Sequence, residues 1–305
     1  MLKYIARRIG WMLVTMFFVA FITFSLMHLV PGGPWDREKT LAPAVVEALN
    51  AKYGLDKPFF VQFGDYLLNA VQGDLGVTYT YQDRNVTDVI AQGLPITATL
   101  GAIAFLTALL IGIPMGVAAA LKQNSFIDYG AVAFSTVFAS IPGFVLGIFM
   151  MAIFAVILHW LPTSGWGSWQ QVIMPAFALA ALPAAYTARI TRASMLEVIR
   201  QDYVRTARAK GLNERVVLTR HIGRNALIPV VTVAGPEFAA LITGSFIIEQ
   251  IFSIPGIGRL FVQGVFQRDY GLIMGTILFY AFAIAVVNLI VDILYGAIDP
   301  RIRYD

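Results

Sequence analysis

Six stretches of this 305-residue chain are apolar for long enough to cross a bilayer as helices: about 9 to 30, 96 to 120, 130 to 158, 172 to 188, 227 to 248 and 273 to 298. A hydrocarbon core of about 30 Å needs roughly 20 such residues in helical form. The fourth stretch is the shortest of the six. Only 13% of the residues are charged, against roughly 25% in an ordinary soluble domain, so a globular surface could not be covered. The expectation is an all-α, polytopic membrane protein with six transmembrane helices. Cysteine is absent, which excludes disulfides, thiolate metal sites and thiol nucleophiles together. His28, His159 and His221 stand far apart and form no metal-ligand spacing.

The loops sort by charge. Residues 1 to 10, 121 to 128, 189 to 225 and 299 to 305 carry 15 Lys and Arg, and the alternate loops 31 to 95, 159 to 171 and 249 to 271 carry seven. The positive-inside bias then places both termini and the 189 to 225 loop in the cytoplasm and the 31 to 95 segment outside. The expected organisation is residues 1 to 30 as cytoplasmic N-terminus and first span, 31 to 95 as an external module, and 96 to 305 as a five-helix core. The first span ends in Pro31-Gly32-Gly33-Pro34 rather than a small-x-small cleavage site, so it reads as an uncleaved anchor.

Within the external module, Leu41 to Tyr53 has helical spacing and Gly54 stands at its stop, while Phe59 to Val71 is a second amphipathic piece that ends before the turn Gly73-Asp74-Leu75-Gly76. The module carries eight acids and five bases, consistent with a structural lid or a docking cap. Inside the spans, Gly112 with Gly116, Gly143 with Gly147, and Gly271 with Gly275 are spaced for close helix approach. Pro95, Pro114, Pro142, Pro175 and Pro183 mark kinks or entry points.

The 189 to 225 loop holds nine bases and three acids. Ser194-Met195-Leu196-Glu197 reads as a capping box at which a helix begins or is reset. Asp202 caps a helix to Lys210, Gly211 permits the left-handed stop, Asn213 and Glu214 restart the chain, and Pro229 enters the next span. Two short helices joined at Gly211 would make a rigid knob. By composition alone this is either a shape for a partner's cleft or a basic loop that sets orientation and touches anionic lipid. Tyr203 is its only aromatic residue, which argues against nucleic-acid stacking.

Asp202-Tyr203-Val204-Arg205-Thr206-Ala207-Arg208-Ala209-Lys210-Gly211-Leu212, followed by Arg224-Asn225-Ala226-Leu227-Ile228-Pro229-Val230, resembles the cytoplasmic loop of peptide-type ABC importer permeases, most closely the B-subunit branch of the bacterial oligopeptide permeases. Arg7-Arg8, Pro31-Gly32, Tyr53 to Pro58, Gly73 to Gly76, Pro255 to Gly258, Arg268-Asp269-Tyr270 and Asp299 to Tyr304 extend the resemblance over nearly the whole chain. It implies a type I ABC importer permease fold in the bacterial inner membrane. It implies as partners a second homologous permease, two ATP-binding cassette subunits, an external substrate-binding protein and a peptide substrate, with membrane lipid around the bundle. The chain itself would hold no cofactor, ATP and Mg being bound by the ATPase subunits. The family signature is Glu-Ala-Ala, three residues, then Gly. Its counterparts here are Arg205, Thr206, Ala207 and Gly211, so the glutamate and first alanine are replaced. The resemblance thus assigns ATPase coupling to Arg205, Thr206, Ala207, Arg208, Gly211 and Leu212. Dipeptide, nickel, glutathione and other small-solute importers share the loop.

No phosphate-binding Gly-x4-Gly-Lys-Ser/Thr motif occurs, so the chain does not hold ATP in that way and is not expected to be an enzyme. An ion-coupled secondary transporter, the alternative class, would need ionisable residues inside the membrane. Glu237 and Asp292 are the only acids in the six spans. Asp292 lies near the end of the last span, where an interfacial hydrogen bond explains it. Glu237, beside Pro236, either lines a substrate path or bonds to a neighbouring helix.

Overall fold

The computed structural model describes residues 2–35, 42–81 and 84–298. The expected helix start at Leu41 and the Asp299 to Tyr304 motif lie outside them. Fourteen helices occur among the described residues, with only an isolated bridge between Val77 and Asn85. Among the described residues, five helices are long and apolar enough to span a membrane, or six if a bent pair of helices counts as one span. The helices fall into two compact units, residues 1–97 with 255–305, and residues 98–254.

The first unit contains α1 (Leu2–Leu29), α2 (Pro43–Tyr53), α3 (Phe59–Val71), the start of α4 (Val86–Leu121), α13 (Ile257–Gln267) and α14 (Tyr270–Ile298). Its core joins Ala20, Phe24 and Met27 of α1 to Phe63 of α3 and Ile273, Met274 and Leu278 of α14. Turn chemistry fixes the connections. Gly54 ends α2 at φ 66°, a conformation that lacks a Cβ penalty only for glycine. Asp269 is fully buried and caps α14, accepting from the Leu272 N–H at 3.0 Å, while the Thr80 N–H donates to its other oxygen at 2.9 Å. Arg268 donates to the Pro31 carbonyl at 3.2 Å and the Tyr270 hydroxyl to that of Met27, also at 3.2 Å. The Arg268-Asp269-Tyr270 triplet therefore ties two connecting segments to the head of α14. At the other end of the α1–α14 pair, Asp292 accepts from Arg8 and from the Tyr4 hydroxyl, a hydrogen-bonded tie between the two helices.

The second unit holds the rest of α4, then α5 (Phe126–Ser140), α6 (Gly143–Met150, continued by a π-wound segment to Ile157) and α7 (Trp169–Ile199). It continues with α8 (Asp202–Ala209), α9 (Glu214–Val216), α10 (Arg224–Ala226), α11 (Ile228–Ile242) and α12 (Phe246–Ile251). The third expected span is not one rod: α5 and α6 meet at 102°. Pro142 lacks an N–H and pushes Ile141 into extended backbone, so the helix stops and restarts there. The fourth expected span lies within a 31-residue helix, α7, whose best membrane window is 56% buried, the highest share of the five. Its inward positions are small, with Ala176, Ala178, Ala180, Ala181, Ala184 and Ala185 all buried. Small side chains on the face that packs against neighbouring helices lower its hydropathy, which is why it looks short in the sequence.

Glycine permits a close seam between α4 and α7 in this unit. A Cβ on Gly112 would lie 2.7 Å from Thr187 Cβ, and one on Gly116 would lie 2.6 Å from Thr191 Cβ, so the paired glycines of α4 receive the backbone of α7. Gly143 meets the Ala178 carbonyl at 2.8 Å in the same sense.

Candidate functional site

The basic loop is ordered by its apolar residues. Val204 and Ala207, three apart on α8, are buried with Ala120, Met195, Val217, Ile222 and Ala226. These side chains come from the end of α4, the end of α7 and the helical rod that runs from α9 through a π-wound stretch, Val217–Gly223, into α10. The remaining face of α8 is turned outward, as i, i+3 spacing requires. Arg205, Thr206 and Arg208 are exposed there, and Gly211 and Leu212 are exposed in the turn that follows, Leu212 at 41%.

The turn between α8 and α9 follows the sequence. Gly211 has φ 75°, and its N–H donates to the Arg208 carbonyl at 2.9 Å. The Asn213 side chain then accepts from the Arg215 N–H at 2.9 Å and caps the restart. Asn225 Nδ2 donates to the Tyr203 hydroxyl at 2.7 Å, which closes the loop between its two motif halves. Arg208 donates to Glu214 from Nη2 at 2.6 Å and from Nε at 3.2 Å, and this hydrogen bonding holds the Glu214 carboxyl below its ordinary range. Arg205 lies 3.6 Å from Asp202 and is 72% exposed, so it is the freer outward cation of the two.

Two features differ from the sequence reading. Ser194 does not begin or reset a helix: α7 runs through it to Ile199, because Thr191, Ser194 and Met195 continue the buried face at helical spacing. Asp202 is the first residue of α8 and Gln201 is its N-cap.

Two charged positions are visible only in three dimensions. Asp128, 2% exposed at the start of α5, accepts from Arg192 Nη2 of α7 at 2.8 Å and Nε at 2.5 Å. The Asn124 N–H donates to the same carboxylate at 2.9 Å. This bidentate pair, 64 residues apart in sequence, clamps α7 about two turns before its end at Ile199. Glu249, in the first turn of α12, is fully buried. It sits in the run Phe246-Ile247-Ile248-Glu249-Gln250-Ile251, where an apolar context was its one signal.

Glu237 is half-buried on α11 and makes no side-chain hydrogen bond or ion pair among the described residues. Its neighbour Phe238 packs edge-on against Phe105 of α4 at 5.1 Å. Pro236 interrupts the helix bonding beside it.

Comparison with known proteins places this geometry. Residues 112–304 match the family described as "Binding-protein-dependent transport system inner membrane component", and residues 1–101 match "Binding-prot-dependent transport system membrane comp, N-term". The chain is 44% identical over 306 residues to the oligopeptide transport system permease protein OppB of Escherichia coli strain K12, covering 100% of each. It is 41% identical over 303 residues to the dipeptide transport system permease protein DppB of Bacillus subtilis strain 168, covering 99% of this chain and 98% of the relative. Among solved structures, an inward-facing form of the methionine ABC transporter MetNI superposes with a TM-score of 0.57 at 20% identity, over 69% of this chain and 96% of that one. An amino acid ABC transporter with histidines gives 0.56 at 18% identity, over 69% and 94%. These share the fold. By the family match and the full-length identity, the chain is a multi-pass membrane protein that belongs to the binding-protein-dependent transport system inner membrane components.

Proposed function

We propose that this chain is the permease subunit of an ATP-driven importer of oligopeptides, forming half of the translocation path with a second, homologous permease. Both termini and the Arg189 to Arg224 knob face the cytoplasm in this reading, following the charge bias of the loops. Two ATPase subunits hold the ATP and Mg, and an external binding protein delivers the peptide. The observation that carries the reading is the knob itself: α8 is pinned inward by Val204 and Ala207 and presents Arg205, Thr206 and Leu212 on a rigid outer face. Such a part carries force rather than chemistry. When the ATPases close on ATP, a rigid knob transmits their motion to α7 and α4, on which it is packed. The 44% identity to an oligopeptide permease supports the substrate, and the 41% identity to a dipeptide permease keeps shorter peptides as the second reading.

Gly211→Pro tests the coupling role. Proline holds φ near −65° and has no N–H, so it can neither adopt the +75° of Gly211 nor bond the Arg208 carbonyl. Peptide-stimulated ATP hydrolysis should uncouple from uptake in reconstituted complex, while the membrane bundle is recovered in normal amount. Coupled uptake at the wild-type rate would remove the docking model.

Glu237 is assigned to the cavity in this reading, where its carboxylate would attract the ammonium of a peptide's N-terminus. Glu237→Gln should reduce uptake of peptides with a free N-terminus and leave N-acetylated peptides unchanged. Equal uptake of both by the variant and the wild type would return Glu237 to a packing role.

A further inference from the structure

The α1–α14 pair carries its own depth scale. At one end Arg8 is paired with Asp292, and at the other the Tyr270 hydroxyl bonds the Met27 carbonyl. No charged side chain lies between Arg8 and Met27 on α1, or between Tyr270 and Asp292 on α14. At 1.5 Å per residue these intervals are about 28 and 33 Å long, which matches a hydrocarbon core of about 30 Å. The two polar ties therefore mark the two faces of the bilayer.

Helix α3 lies inside that interval. It starts with Phe59 against Phe24 at 5.0 Å and His28 at 5.3 Å, near the Met27 level. One turn on, Phe63 meets Phe21 at 5.5 Å and Phe17 at 5.9 Å. Its last turn shares an apolar groove with Leu13 and Phe17 of α1 and Phe282 of α14. Phe17 lies ten residues from Met27, about 15 Å along the helix. The end of α3 is thus near the middle of the membrane, although the charge pattern places its whole segment outside.

The side chains sort accordingly into three faces. Phe59, Phe63, Leu67 and Ala70 pack on α1 and α14. Gln62 and Asp65 form a polar face, where Asp65 accepts from Lys57 at 2.7 Å and Gln62 donates to the Lys57 carbonyl at 2.7 Å. The third face is apolar and uncovered: Phe60 is 76% exposed, Leu68 66% and Val71 89%, and a Cβ on Gly64 would meet nothing within 4 Å. This stripe continues through the groove onto the exposed Leu13 and Phe17, mid-span residues of a membrane helix. We propose that α3 is a re-entrant amphipathic helix that enters the bilayer from the Leu29 side and seats Phe60, Leu68 and Val71 against lipid acyl chains. Continuity with α1 at the same depth selects acyl chains as the occupant, because both faces then meet one apolar medium.

The chain has no cysteine, so single cysteines at 60, 68, 71 and 65 can each carry a nitroxide label. All four positions are exposed, and labelling leaves the packed face intact. In the assembled, transport-competent complex in liposomes, the ratio of collision with oxygen to collision with an aqueous nickel chelate should rise several-fold from 60 to 71 and be lowest at 65. Labels at 68 and 71 that meet the chelate as freely as the label at 65 would put α3 in water. Labels there shielded from both quenchers would mean that another protein subunit covers the stripe. Either result overturns the assignment.

Discussion

Gly116→Leu is expected to abolish recovery of the folded chain from membranes. The ideal Cβ at this position falls 2.5 Å from the Ala188 carbonyl oxygen, 2.6 Å from Thr191 Cβ and 3.0 Å from the Arg192 N. Two of these are backbone atoms of α7, which cannot rotate aside, so α4 and α7 must part. Inserting extra carbon into a packed core typically costs about 1–3 kcal/mol, and a leucine against immobile backbone belongs at or above the upper end. The damage would not stay local. Arg192, whose backbone N is one of these atoms, also holds the Asp128 carboxylate, so displacing α7 disturbs that pair as well. Against a stability of about 5–15 kcal/mol for a typical domain, a loss of that size at the α4–α7 seam is a large fraction of the whole. Fluorescence-detected size exclusion of the tagged chain should show loss of the monodisperse peak. Gly130→Leu, where a new Cβ meets nothing within 4 Å, should keep it.

What the sequence made legible follows the range of the forces involved. Gly54 and Gly211 were readable because a left-handed stop depends on the few residues around it, and both adopt positive φ. The glycine pair at 112 and 116 was readable as a spacing, and both glycines face α7. Apolar runs located the membrane helices, but hydropathy reports contact with lipid, so the alanine-lined α7 was understated. Pro142 announced a break without its angle, since a 102° turn is fixed by what α5 and α6 pack against. Asp128 and Arg192 looked like two ordinary loop charges because their pairing requires α5 and α7 to be side by side. The packing of α3 along α1 was hidden for the same reason. Loop charge assigns a segment to one side of the membrane, whereas only the Phe17, Phe21 and Phe63 contacts show how far it reaches down α1.

Ala207→Glu should separate folding of the bundle from transport. The signature alanine is 4% exposed and sits among Met195, Val204, Val217, Ile222 and Ala226, with no polar group in that cluster to receive a carboxylate. An ionised carboxylate without a partner is strongly disfavoured in such surroundings, so α8 must swing outward to bring the new side chain to water. Val204 would be pulled out with it, and the Tyr203–Asn225 hydrogen bond that closes the loop would break. The transmembrane seams built by Gly112, Gly116 and Gly143 join α4 to α7 and α6 to α7 and do not include α8, although Gly116 lies only one turn before the Ala120 that packs under the knob. ATP-dependent peptide uptake by the reconstituted complex should therefore fall by about tenfold or more, equivalent to at least ~1.4 kcal/mol lost from the docked arrangement. The size-exclusion profile of the chain should stay as in the wild type. Ala207→Ser adds one hydroxyl that can bond the preceding helical carbonyls, and it should retain most of the uptake. Full uptake by Ala207→Glu would mean that the knob tolerates losing its inward anchor, and the force path through α8 to α7 and α4 would have to be abandoned.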